Sequence, residues 1–160
     1  MSDLASSWDL IVVGAGPAGL AAASMAARAG LSTLLLDENP CVGGQIYRGI
    51  TANPVRNRAI LGDDYWAGTA LAAEAKATGA TIVNGATVWS LDRALGVGVS
   101  IAGKARLLQA SKVIVATGSL ERPFAIPGWT LPGVMTAGAV QTALKAQGLL
   151  PTGRIVMAGN

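Results

Sequence analysis

Three glycines spaced as Gly14-x-Gly16-x-x-Gly19 are the first residues in this chain whose types and spacing could do chemistry. A diphosphate needs such a run. The first glycine makes a tight turn, the second lets backbone approach the phosphates, and the third lets a helix pack close to a strand. An apolar stretch at 10–13 precedes the run, Pro17 takes a tolerated first-turn position, and Ala18 continues an alanine-rich helix. The next apolar stretch closes on Asp37 and Glu38, where a carboxylate can accept from ribose hydroxyls. In that context the spacing predicts a dinucleotide site rather than ordinary turn glycines. Asp37 directly follows the apolar run and is the first choice for the sugar, with Glu38 the second. An acid at this place disfavours a 2′-phosphate and leaves FAD and NAD both open.

Composition excludes several other chemistries. There is no histidine and a single cysteine, Cys41, so no internal disulfide, no redox-active C-x-x-C pair and no protein-only zinc or iron site is expected. No side chain stands out as a general base, and no catalytic residue is assigned. Twelve basic residues against nine acidic give +3 with no basic run, which argues against nucleic acid. The apolar stretch at 10–29 is interrupted by Gly14, Gly16, Pro17 and Gly19 and is preceded by Asp3 and Asp9 rather than by basic residues. Neither a membrane span nor a signal peptide is expected, and a reduced cytoplasmic setting is the default. Trp66, Trp89 and Trp129 are scattered singly and read as packing residues. Tyr47 and Arg48 follow a second glycine pair and stay in view, Arg48 and Arg122 as residues able to face phosphates or a partner.

The elements that must position these residues follow from pattern. A chain 51% hydrophobic and only 13% charged, with 21 glycines, suits a buried sheet flanked by small-residue helices. Strand 10–13, helix 17–29 stopped by Gly30, and strand 33–36 form a β-α-β unit. A long loop spans 39–61. Asp63 and Asp64 can cap and charge a helix running to about 78, and a third strand follows at 81–83. Alternation over 86–110 predicts a small antiparallel meander with Val97, Val99 and Ile101 facing one way, and the apolar run 112–116 a further parallel strand. Beyond Gly118 come a proline-rich connector and a helix at 136–147. The segment from Arg154 repeats the pattern of 10–16 and reads as the opening strand of a second dinucleotide unit. The expected fold is α/β, with a Rossmann-like domain over 1–122 and a connector, helix and first strand of an incomplete second unit over 123–160.

The Gly14-Ala-Gly-Pro-Ala-Gly19 run, the loop Gly43-Gly-Gln-Ile-Tyr47, the meander and Ala116-Thr-Gly118 together resemble the glutathione-reductase-type pyridine nucleotide-disulfide oxidoreductase superfamily. The resemblance implies that the first unit binds FAD. It implies roles near the flavin for Gly43, Gly44 and Gln45, a backbone approach to the adenine at Thr87 and Val88, and a strand end closing over the dinucleotide at Ala116, Thr117 and Gly118. The runs at 43–48, 116–123 and 127–145 resemble more specifically the flavoprotein subunits of opine oxidase, hydrogen cyanide synthase, sarcosine oxidase and dye-linked proline dehydrogenase. That implies a partner oxidase subunit that performs amine oxidation while this one handles electrons.

The superfamily also implies a segment that returns to FAD after a second nucleotide domain. The chain is therefore expected to be a fragment that holds FAD weakly and does not turn over alone, and its terminal strand is expected to favour self-association. Two other readings stand beside this one: a catalytically silent nucleotide-binding or assembly module, and an NAD(P)H-dependent flavin reductase without a redox disulfide.

Overall fold

The computed structural model describes residues 4–123 and 125–159. Asp3, read ahead of the first strand, and Asn160, in the terminal repeat of the glycine pattern, lie outside them. Strand β1 (Ser7–Val13), helix α1 (Pro17–Arg28) and strand β2 (Thr33–Asp37) form the β-α-β unit. Helix α2 (Gly62–Ala77) leads into β3 (Thr81–Asn84), followed by β4 (Ala86–Leu91), β5 (Gly96–Ile101), β6 (Lys104–Val115) and helix α3 (Ala137–Gln147). The strands make one sheet in the order β3-β2-β1-β6-β5-β4. The β3-β2-β1-β6 half is parallel and the β6-β5-β4 half antiparallel.

β1 and β2 are buried on both faces, which is why their sequences are continuous apolar runs. Leu10, Val12 and Leu35 pack with Leu20, Ala23, Tyr65, Ala72 and Ala75 of the two helices. Ile11, Leu34 and Leu36 pack on the other face with Val97, Val99, Ile101 and Leu108. The meander reaches back far enough that β4 contacts β2. Burying each of these large side chains is worth roughly 1.5–3 kcal/mol.

β6 departs from expectation in an informative way. The last stretch of the expected meander, up to 110, and the parallel strand expected at 112–116 are one continuous strand. No glycine or proline interrupts residues 104–115, so nothing breaks the extended backbone. Its first part runs antiparallel to β5, from Lys104 opposite Ile101 to Gln109 opposite Gly96. Its second part runs parallel to β1, from Gln109 opposite Ser7 to Val115 opposite Val13.

Asp63 and Asp64 do not cap α2. Leu61 holds the cap position and no side chain bonds there, so both acids lie within the first turn and act only through the helix dipole. The strand expected from Arg154 is not formed. Residues 154–159 pair with no strand, and Val156 and Met157 are 80% and 87% exposed. A strand exists only through pairing with a neighbour, and among the described residues this segment has none. Trp89 and Trp129 are likewise exposed rather than packed in the core. No helix among the described residues is long and apolar enough to cross a membrane.

Candidate dinucleotide site

The carboxyl ends of β1, β2 and β6 and the start of β4 surround a cleft of about 490 Å³, a size suited to a cofactor. Gly14, Gly16, Pro17 and Ala18 line one wall, Asp37 and Glu38 another. Gly44 and Gln45, Val88, and the run Ala116, Thr117 and Gly118 complete it. Thirteen of the residues singled out in the sequence, Arg48 among them, therefore meet around one cavity. Gly19 and Gly43 do not line it and act behind it. A Cβ on Gly19 would run into the carbonyl oxygen of Gly14, and one on Gly43, at φ +122°, into that of Tyr47. Both permit close backbone approach.

The glycine turn is held from β2. Gly14 N–H donates to Leu36 O (2.8 Å), and Ala15 N–H donates to Asp37 Oδ2 (2.5 Å). Asp37 Oδ1 accepts from the backbone and side-chain nitrogens of Asn39 at 2.7 and 3.0 Å. Asp37 is only 7% exposed and spends both oxygens on its own chain. Glu38 is exposed at the cleft wall and makes no hydrogen bond or ion pair among the described residues. The two acids thus play different parts. Asp37 fixes the turn, and Glu38 is free to reach outward.

Helix α1 begins at the cleft with Gly16 as its cap residue, Pro17 following, and no side chain bonded to its amino terminus. Its first N–H groups lack intrahelical partners, and the helix dipole places partial positive charge there. That arrangement suits a diphosphate.

The loop carrying Gly44 and Gln45 is clamped at several points. Gly43 N–H donates to Ala15 O (2.8 Å). Lys145 Nζ, on α3, donates to Ile46 O (2.9 Å), Gln141 Oε1 (3.2 Å) and Gln45 O (3.4 Å). Asn53 Nδ2 donates to Lys145 O (2.9 Å), and Tyr65 OH donates to Arg48 O (2.9 Å). Partial burial, and secondarily the charge of Arg48, holds the Lys145 ammonium below its ordinary pKa. Burial raises the Tyr65 phenol, opposed by its bond from Asn53.

Tyr47 lies off the cleft, its ring against Gly68 of α2, and Cys41 is also absent from the lining. Sequence reasoning missed Val13, Leu36 and Ser119, each the chain neighbour of a residue it named. It also missed Asn39, Ile46 and Ala86 in the lining, and the Lys145 clamp, which joins residues about a hundred positions apart and leaves no local signal.

The parallel half of the sheet, with its glycine turn, open helix amino terminus and acid at the second strand end, has the architecture of a Rossmann-type fold. The chain belongs to the pyridine nucleotide-disulphide oxidoreductase family, whose model matches residues 8–159. It is 51% identical to an opine oxidase subunit of Agrobacterium tumefaciens (strain Ach5), the match covering 99% of this chain and 33% of that protein. It is 35% identical to hydrogen cyanide synthase subunit HcnB of Pseudomonas aeruginosa, covering 94% and 33%. The chain thus spans about a third of the length of these relatives. Among solved structures, L-proline dehydrogenase from P. horikoshii shares the fold at a TM-score of 0.72 and 18% identity, covering 90% of this chain and 29% of that one.

Proposed function

We propose that this chain is the FAD-binding part of a flavoprotein oxidoreductase subunit in an amino-acid- or opine-oxidising system, handling electrons for a partner oxidase subunit. The observation that carries the reading is the uncapped amino terminus of α1 opening on a cleft that Asp37 and Glu38 also line. These residues fit a diphosphate and a ribose: bare N–H groups for the phosphates, and a carboxylate within the same cleft for the sugar hydroxyls. The relatives are named as subunits of opine oxidase and of hydrogen cyanide synthase, which supports a partner subunit. Bound FAD would supply the electron-accepting group. The chain's own residues would anchor the adenosine end through Glu38, seat the diphosphate on residues 14–19, and shape the flavin side with Gly44, Gln45 and Thr117.

The test is a titration of the purified chain with FAD, followed by flavin fluorescence, and then an absorbance scan after gel filtration. Saturable binding with much of the flavin lost on filtration is expected. No saturable change at millimolar FAD would overturn the reading.

A further inference from the structure

We infer that Arg48 is the side chain that neutralises the phosphate charge of the nucleotide in this cleft, held ready by Gln45 and Asn39; the inference rests on the nucleotide reading above. Arg48 lines the cleft. Its guanidinium is fixed by two neutral acceptors: Nε and Nη2 donate to Gln45 Oε1 (3.1 and 3.0 Å), and Nη1 donates to Asn39 Oδ1 (3.2 Å). Among the described residues no carboxylate stands within 4.0 Å of Arg48 or Lys145. Burial and, secondarily, the charge of Arg48 disfavour the charged form of Lys145.

Each cation has a separate place in this arrangement. Lys145 directs its ammonium to Gln45 O, Ile46 O and Gln141 Oε1, which leaves it as a clamp on the peptide that presents Gln45. Arg48 has five N–H donors, and the three bonds above engage only part of that set.

Asn39, its other support, is bonded to Asp37, so one network runs from the glycine turn through Asp37, Asn39 and Arg48 to Gln45. The cleft also holds two acids, Asp37 and Glu38, which repel a diphosphate. The dipole of α1 supplies partial positive charge only, and Arg48 is the full charge in the lining that offsets them. An arginine preorganised by neutral amides keeps its charge for an incoming ligand and matches phosphate geometry with its planar fork.

The experiment measures dissociation constants of the full chain and of Arg48→Gln and Arg48→Lys for FAD, ADP and adenosine at several salt concentrations. Denaturation midpoints are recorded for each variant. Arg48→Gln is expected to weaken ADP and FAD by about tenfold to a hundredfold, the range for a hydrogen bond to a charged group. Adenosine binding should be unchanged, and the salt dependence of ADP binding shallower. Arg48→Lys should fall between, keeping the salt dependence and losing the fork. Equal losses for ADP and adenosine, or a lowered midpoint that accounts for the loss, would reduce Arg48 to a loop-positioning residue and overturn the inference. Unchanged ADP affinity in Arg48→Gln would overturn it while leaving the nucleotide site standing. A wild-type chain that binds none of the three would remove the nucleotide reading itself, and this inference with it.

Discussion

α1 and α3 are both alanine-rich helices of similar length, 12 and 11 residues, yet they end in opposite circumstances. α1 buries Gly19, Leu20, Ala23 and Ser24 in the core and leaves its amino terminus without a side-chain cap, facing the cleft. α3 has no buried residue, and its amino terminus is satisfied from its own chain. Thr136 Oγ1 accepts from Ala139 N–H (3.2 Å), and Glu121 Oε2 accepts from Gly138 N–H (2.9 Å). A helix held by a core can leave its terminal N–H groups for a ligand. A helix with little apolar contact depends on its caps and on polar clamps such as Lys145 and Asn53.

The two helices should differ most where they meet apolar neighbours. Leu20→Ala, at a fully buried position of α1, should cost about 2–5 kcal/mol of global stability. Leu144→Ala, at a partly exposed position of α3, should cost no more than about 0.5–1 kcal/mol. Urea denaturation followed by far-ultraviolet circular dichroism separates them, and equal losses would mean that α3 shares the core of the domain.

A smaller effect tests the caps. Thr136→Ala should weaken α3 by about 1 kcal/mol, seen as faster amide exchange within residues 137–147, while exchange in α1 and the global midpoint stay where they are. Faster exchange spreading into α1 would show the two helices to be one cooperative unit.

The smallest effect lies at the start of the β-α-β unit. Ser32 N–H and Oγ–H donate to Asp9 Oδ2 at 2.8 and 2.7 Å, and these bonds hold the Asp9 carboxyl below its ordinary 3.8. A carboxyl lowered by folding contributes stability that is present above its unfolded pKa and lost as pH falls through the lowered one. Asp9→Asn should therefore melt slightly earlier than wild type at pH 7, and the gap should close well below pH 3.8. A gap that persists in acid would mean that the asparagine fails for reasons of shape rather than charge.

Local signals carried much of the architecture. The apolar runs of β1 and β2, the stop at Gly30 and the helix at 136–147 are all properties of a few neighbouring residues, as is the glycine spacing that marks the cleft. Other features needed the folded chain. β6 runs unbroken from the meander into the parallel half, because a strand with partners on successive stretches of its length can continue where local pattern changes. The repeat of the glycine pattern from Arg154 made no strand, because pairing requires a neighbour that no local sequence supplies.

The division of labour at the site follows the same physics. Residue types and spacing along the chain placed a glycine turn at residues 14–19 and an acid at the end of β2, the pattern from which a phosphate and a sugar site were expected. Only the tertiary structure decided that Asp37 turns inward to hold the turn, that Glu38 faces the cleft, and that Arg48 is braced by Gln45 and Asn39 in its lining. Side-chain direction and the pairing of charges depend on which distant elements come to lie against one another, and Lys145 reaches its loop from about a hundred residues away.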